Sequence, residues 1–189
     1  MNKLVEITPQ YTVPKGVKVF RVASFADSRG ELMPTFSDEG GVFGENFGGI
    51  KQVNIIKTKK HVLRGAHVSI DPQHKLVMVT KGTVTQVLLD LLPLNKGNDA
   101  TQYIIRHDGD CPIIVLVPPY IANALYSVTK ATIVYATDTH FNEDLELSVS
   151  LSSPQEWEYG DTLPLQSAKD EKSISVAEAR SKMYEHHSN

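Results

Sequence analysis

Short stretches in which apolar and polar residues alternate, separated by turn residues, dominate the chain from residue 16 to residue 137. Gly16 to Phe25 (GVKVFRVASF) alternates as a half-buried strand does. Lys51 to Thr58 (KQVNIIKT) predicts a second strand, with Gln52, Asn54 and Ile56 on one face and Val53, Ile55 and Lys57 on the other. Val62 to Val79 holds two apolar strands around a Pro-containing turn; the first carries Arg64 and His67, and the second opens with Lys75, which shares a face with Val77 and Val79. The Lys81-Gly82 pair marks a turn into the strand TVTQVLLDLL. Gln102 to Arg106, Ile113 to Val117, Ala122 to Val128 and Ala131 to Thr137 continue the series, and Pro118-Pro119 closes one strand because proline cannot donate to a ladder.

The intervening segments read as turns and loops. Asp27, Ser28 and Gly30 form a turn around Arg29, whose side chain is placed to reach an anion or to remain solvated. Ser37 to Gly49 reads as a mobile glycine-rich flap; it lacks the strand-to-helix context of a nucleotide fingerprint. Lys57, Lys59, Lys60 and His61 read as a solvated hairpin turn, and Leu94 to Ala100 as a polar loop. One helix is predicted, Ser173 to Glu185, with Ile174, Ala177 and Met183 on its apolar stripe; His186 and His187 beyond it are expected to be frayed and solvated. This succession predicts an all-β sandwich or barrel, one domain over residues 1–189 with a helical tail from 171.

A chain of 189 residues is long enough for one well-filled core. A net charge of −3 gives no general attraction to nucleic acid or to an anionic membrane, so an anionic ligand must be met by a local cluster. The start MNKLVEITPQYTVP lacks a secretion pattern and no apolar run is long enough for a bilayer, which makes the cytoplasm the expected compartment. Cys111 is the only cysteine, so no intrachain disulfide forms; it is expected to be buried at a strand start rather than to act as a nucleophile.

The candidate chemistry lies in Val62 to Val79. A base (His67), a guanidinium (Arg64) and an ammonium (Lys75) on paired strands suit a phosphorylated ligand and a developing oxyanion. Arg64 and His67 are three apart, so strict alternation would put them on opposite faces. A bulge at Gly65 would bring both inward. These residues point to an enzyme acting on a carbon acid.

DSRGELMPTF, QVNIIKTKKHVLRGAH, PQHKLVMVTKGTVTQVLLDL, VPPYIANALYSVTKATIVYATDTHFNEDLE and LQSAKD, in that order, resemble the motifs of the dTDP-4-dehydrorhamnose 3,5-epimerase family. The resemblance implies a cupin jelly roll, a homodimer exchanging N-terminal strands, no cofactor or metal, and a nucleotide-linked 4-keto-6-deoxy sugar of deoxysugar biosynthesis as substrate. By motif position it implies His67 as catalytic base, Asp170 as the carboxylate that orients it, Tyr135 as acid on the far side of the sugar, and Lys75 beside the enolate oxygen. Arg29 and Arg64 fall on diphosphate-binding positions, Gln52 and Asn54 on pocket-lining ones, and Asn123, Phe141 and Glu146 among the substrate contacts.

Those roles suit the chemistry. A hydrogen next to a ketone is acidic only if the enolate is stabilised, and inversion needs a proton from the opposite face. The chain also departs from the family pattern: Ala122-Asn123-Ala124-Leu125 stands for AHGF, Ser69 for a glutamine, Gln86 for an aspartate, Leu92 for an arginine, and Phe141 where a tyrosine is common. Epimerisation of C3, C5 or both is therefore expected on an altered substrate. The rival readings are a non-catalytic sugar-nucleotide binder and a 3,4-ketoisomerase; a metal-dependent cupin fits poorly, because Ser69 and Asn123 occupy positions where ligands would be needed.

Overall fold

The strand periodicities fold into two facing sheets. In the computed structural model, which describes residues 4–9, 12–37, 43–44, 47–94, 97, 100–151 and 163–188, the strands run β1 (Leu4–Ile7), β2 (Lys18–Val22), β3 (Phe25–Asp27), β4 (Gly30–Leu32), β5 (Gln52–Thr58), β6 (Leu63–Ser69) and β7 (Lys75–Lys81). They continue as β8 (Thr83–Asp90), β9 (Gln102–Asp108), β10 (Ile113–Val117), β11 (Ile121–Ser127), β12 (Ala131–Thr137) and β13 (Glu146–Ser148), and one helix, α1 (Val176–Ser188), follows. One sheet has the order β1-β2-β10-β7-β12-β5 and the other β13-β6-β11-β8-β9, with the β3–β4 hairpin apart from both. This is a cupin jelly roll with a C-terminal helix.

Alternation decides what each face of a sheet meets. Val77 and Val79 of β7 turn inward to pack with Val84, Leu125 and Ile133, while Leu76 and Met78 turn outward. That outer face is covered by Phe43 and Phe47, whose rings meet edge to face at 5.2 Å. The outer face of the other sheet is covered by α1 through Ala179 and Met183. Both sheets are thereby buried on two sides, which is why several of their strands read as continuous apolar runs.

Gly65 meets a requirement no other residue could. Its φ is +111°, and a Cβ there would lie 2.5 Å from the Asn123 carbonyl oxygen. The β6–β11 register shifts at this point: Arg64 pairs with Leu125 and His67 with Asn123, so a step of three on β6 spans a step of two on β11. The expected bulge is therefore present, and Arg64 and His67 reach the same interior.

Several sequence expectations are corrected. Gly16 to Phe25 is not one strand, because β2 stops at Val22 and β3 belongs to the hairpin. Cys111 is exposed, not buried: Asp108 opens a turn after β9, its carbonyl accepting from Cys111 N at 3.1 Å. In the expected flap Ser37–Gly49, residues 38–42, 45 and 46 lie outside the described residues, whereas Phe43 and Phe47 are core. Part of the Leu94–Ala100 loop, residues 95, 96, 98 and 99, also lies outside them. The helix starts later than expected because Ser175 Oγ accepts from Glu178 N at 3.2 Å as an N-cap, and its buried face is Ala179, Arg180 and Met183. Its end is docked, not frayed: His186 Nε2 lies 2.9 Å from Asp71 Oδ1, and His187 Nε2 donates to the Ile70 carbonyl at 3.1 Å. No described helix is long and apolar enough to cross a membrane.

Replacing Gly65 by alanine should cost roughly 2–4 kcal/mol, because the new methyl must displace backbone at a positive φ. Urea unfolding of Gly65→Ala against the parent chain measures this; unchanged stability would mean that β6 and β11 can separate without penalty.

Candidate active site

One end of the space between the sheets is left open as a cavity of about 260 Å³. The five-stranded sheet contributes Arg64, His67, Asn123, Leu125 and Glu146; the six-stranded sheet contributes Ile56, Lys75, Val77 and Tyr135. Polar groups thus converge on an apolar floor, as a small-ligand site requires. His67 and Tyr135 come from opposite walls.

His67 is held from behind by Asp170. Its Nε2 lies 2.6 Å from Asp170 Oδ1, which also accepts from Ser148 Oγ at 3.1 Å. Asp170 sits in a short 3₁₀ turn, Asp170–Lys172, and its backbone N–H donates to Ser167 Oγ at 3.2 Å. Burial opposes ionisation of this carboxyl, but its contacts with His67, Ser167 and Ser148 outweigh burial and hold it below its ordinary value. An ionised Asp170 can only accept, so His67 Nε2 carries the hydrogen and Nδ1 carries the lone pair. Nδ1 lies 3.6 Å from Glu146 Oε1 on the cavity side.

Glu146 links several of the cavity's charged groups. Lys169 Nζ lies 3.5 Å from its Oε2. Lys75 is only 8% exposed; burial lowers the pKa of its ammonium and the Glu146 charge opposes that. Its Nζ donates to the His67 carbonyl at 3.2 Å. The Tyr135 phenol is pushed up by burial and by Glu146, with Arg64 pulling the other way, so it holds its proton at neutral pH.

The β12 register explains how lysine and phenol are placed together: Thr137 pairs with Lys75 and Tyr135 with Val77. Just beyond, His74 and Asp138 clamp the two strand ends, with His74 N to Asp138 Oδ1 at 2.8 Å and His74 Nδ1 to Oδ2 at 2.7 Å.

Of the residues singled out in the sequence, the cavity holds Arg64, His67, Lys75, Asn123, Tyr135 and Glu146, with Asp170 behind the imidazole. Phe141 lines an adjoining cavity of about 370 Å³, which shares Glu146 with the first and includes Ser69, Asp71 and His140. Gln52 and Asn54 face the same way, as alternation predicts, but line neither cavity. Gln52 Nε2 donates to Asn54 Oδ1 at 3.1 Å, and Gln52 Oε1 accepts from Phe141 N at 2.9 Å.

Arg29 is not brought to the cavity of its own chain. It sits at the tip of the β3–β4 hairpin, with its side chain 88% exposed and paired to Asp27 at 2.6 Å. Sequence reasoning missed Lys169 and Ser148. The first precedes Asp170 directly in LQSAKD, and the second lies two positions after Glu146 on β13, so it shares that residue's face. Among the described residues, no three His, Cys, Asp or Glu side chains are grouped as a metal ion would need.

Behind Asn123, the interior of the five-stranded sheet carries His107, 1% exposed, and Gln86, fully buried. Burial pushes the His107 imidazole down to about 4.

The model of the family described as dTDP-4-dehydrorhamnose 3,5-epimerase matches residues 12–178. Among curated proteins, none matches the chain at the level of sequence. Among solved structures, the chain resembles a dTDP-6-deoxy-D-glucose-3,5-epimerase of Legionella pneumophila in complex with dTDP-4-keto-L-rhamnose, at 22% identity and a TM-score of 0.81, over 95% of this chain and 96% of that one. It also resembles a 3'-monoepimerase of Streptomyces bikiniensis in complex with dTDP-quinovose, at 24% identity and a TM-score of 0.76, over 91% and 93% of the two chains. A third is a 4-keto-6-deoxy sugar epimerase from the novobiocin gene cluster of Streptomyces spheroides, at 22% identity and a TM-score of 0.75, over 96% and 92%. At these identities the likeness establishes the fold.

Stability should fall on acidification in two steps. His107 binds its proton more weakly in the folded than in the unfolded chain, so its contribution is complete above pH ~6.5 and declines toward about 4, by at most ~1.4 kcal/mol per pH unit. Asp170 and Asp138, both held below the ordinary 3.8, contribute stability present above that value and lost as pH falls through their folded values. Urea unfolding between pH 7 and 4 should give a steeper loss for the parent chain than for His107→Phe; parallel curves would contradict the first step.

Proposed function

The chain belongs to the dTDP-4-dehydrorhamnose 3,5-epimerase family, and from that premise we propose that it inverts one or both carbons flanking the ketone of a nucleotide-linked 4-keto-6-deoxy hexose, in the cytoplasm and without a cofactor. The observation that carries this reading is that His67 and Tyr135 face each other from opposite sheets across one cavity. A sugar ring lying between the sheets presents one face to a base and the other to an acid. Inversion needs that arrangement, because a proton returned from the side it left restores the starting sugar.

His67 Nδ1 takes the proton from the carbon next to the ketone, and the C–H electron pair moves to the carbonyl oxygen as an enolate. The Lys75 ammonium offsets the negative charge on that oxygen. The imidazolium formed lies between Asp170 and Glu146. Tyr135 then delivers its phenolic proton to the same carbon from the other face as the enolate collapses to the ketone. Proton exchange with solvent resets the imidazolium and the phenolate. Arg64, at the cavity wall, is suited to the diphosphate.

A homodimer accounts for two features that a single chain leaves without a role. The hairpin bearing Arg29 exposes Phe25 and Leu32, at 46% and 67%, and the edge strand β5 exposes Val53 and Ile55, at 52% and 68%. Pairing of two copies through these surfaces would cover the apolar side chains and carry Arg29 toward the partner's cavity. Sedimentation should give twice the 20.9 kDa chain mass, and Leu32→Lys combined with Ile55→Lys should return it to one; a parent chain that sediments as a monomer would remove Arg29 from the site.

In deuterated water, with dTDP-, GDP- and CDP-linked 4-keto-6-deoxy sugars, the enzyme should incorporate one deuteron per carbon epimerised. His67→Asn should slow uptake by about 10²–10⁴-fold, and Tyr135→Phe should suppress inverted product more than it suppresses exchange. Binding without uptake across the panel would favour a sugar-nucleotide binder, and a ketone moved along the ring would favour a 3,4-ketoisomerase.

A further inference from the structure

A diagonal of polar side chains crosses the inward face of the five-stranded sheet, where apolar residues are otherwise packed. His107 Nε2 lies 2.7 Å from Gln86 Oε1, and Gln86 Nε2 donates to Asn123 Oδ1 at 2.6 Å. The strands involved, β9, β8 and β11, are consecutive neighbours, and on the next strand His67 pairs with Asn123. The row therefore runs from the deep core to the residue beside the base. Its outer end lines the cavity, and its inner end does not.

We propose that Gln86 and His107 are positioning residues that hold the Asn123 amide with its N–H turned into the cavity, where it donates to a substrate oxygen beside the carbon that His67 deprotonates. The identity of that substrate rests on the epimerase reading, whereas the direction of the hydrogen bonds does not. Two arrangements of the row make the same number of hydrogen bonds. In one, His107 Nε2–H donates to Gln86, Gln86 donates to Asn123, and the Asn123 NH₂ group is left for the cavity. In the other, every bond is reversed, and Asn123 presents its oxygen.

The inner end decides between them. His107 Nδ1 is buried and has no hydrogen-bond partner among the described residues. In the first arrangement that atom is a bare lone pair, whereas in the second it is an orphaned N–H. Buried orphan donors are the rarer and costlier of the two. A cationic imidazole would keep the first arrangement's bond to Gln86 but bury a charge with an unpaired Nδ1–H, and burial keeps the ring neutral down to about pH 4.

The consequence is a donor with no charge and no titration on this wall. The charges around the bound sugar are then those of Arg64, Lys75, Glu146 and the His67–Asp170 pair. An uncharged N–H favours a hydroxyl or ketone oxygen over a phosphate oxygen, which gains more from a cation. Substrate discrimination at Asn123 therefore falls on the sugar and not on the diphosphate.

Two measurements on the full chain test this. In the ligand-free protein at pH 7, long-range ¹H–¹⁵N correlation of the His107 ring should report the neutral Nε2–H tautomer; an Nδ1–H tautomer would overturn the proposal whatever the protein's activity. With dTDP-4-keto-6-deoxyglucose as probe and deuterium uptake as readout, Gln86→Leu should raise KM about tenfold with kcat changed less than twofold. The same substitution should have no further effect in an Asn123→Ala background. Equal effects of Gln86→Leu in both backgrounds would mean that the row serves only stability, and the proposal would fall. A parent chain that turns over no probe defeats the epimerase reading, and the tautomer still decides the direction of the row.

Discussion

The approach of β6 to β11 at Gly65 is the constraint on which the site depends. A strand delivers alternate residues to one face, and the base and the guanidinium here are three positions apart. Only an extra residue on β6 reconciles them, and the backbone that accommodates it passes so close to Asn123 that any side chain would collide. The same pairing sets Asn123 beside His67, and β13, on the other edge of β6, sets Ser148 opposite His67 and Glu146 opposite Ser69. One departure from regular pleating thus positions the base, its arginine neighbour and an amide, with carboxylate and hydroxyl supplied by the strand beyond.

Much of the architecture was legible because it follows from periodicity. Ile113–Val117 and Ala131–Thr137 were read to the residue, and the alternation in β5 predicted which of its side chains share a face. The bulge could be stated as a condition, since Arg64-Gly65-Ala66-His67 has the wrong spacing for one face and a glycine where a bulge would need it. Cys111 was misread because an apolar run was extended back through Pro112, while Asp108 and Asp110 carried the turn signal. The docking of His186 and His187 was invisible for a different reason: it depends on Asp71, Ile70 and Tyr120, which are far away in sequence. Pairwise contacts between distant segments leave no local pattern.

The same reasoning explains what was seen and missed within the site. Motif order brought forward His67, Lys75, Tyr135 and Asp170, residues whose chemical type matches a proton-transfer reaction. It also marked Gln86 and Asn123 as departures, but it offered no sign that His107 stands behind them. The strand read from the sequence ended at Arg106, which left His107 outside it, whereas β9 runs on to Asp108. Only the stacking of β9 on β8 turns His107 into the buried end of a polar row.

The electrostatics of the cavity turn on one carboxylate. Taken alone, burial lowers the pKa of the Lys75 ammonium, and an imidazolium at His67 would face a carboxylate only on the Asp170 side. Glu146 acts on both: its charge favours the Lys75 ammonium and lies 3.6 Å from the nitrogen that receives the substrate proton. It also raises the Tyr135 phenol, keeping protonated the group that must later give a proton up. The cost of burying a carboxylate in such a place is offset by Lys169 at 3.5 Å on its outer oxygen. A single negative charge beside the cavity thus favours the protonated forms of the ammonium and the phenol that the reaction uses, and it lies next to the nitrogen on which the abstracted proton ends.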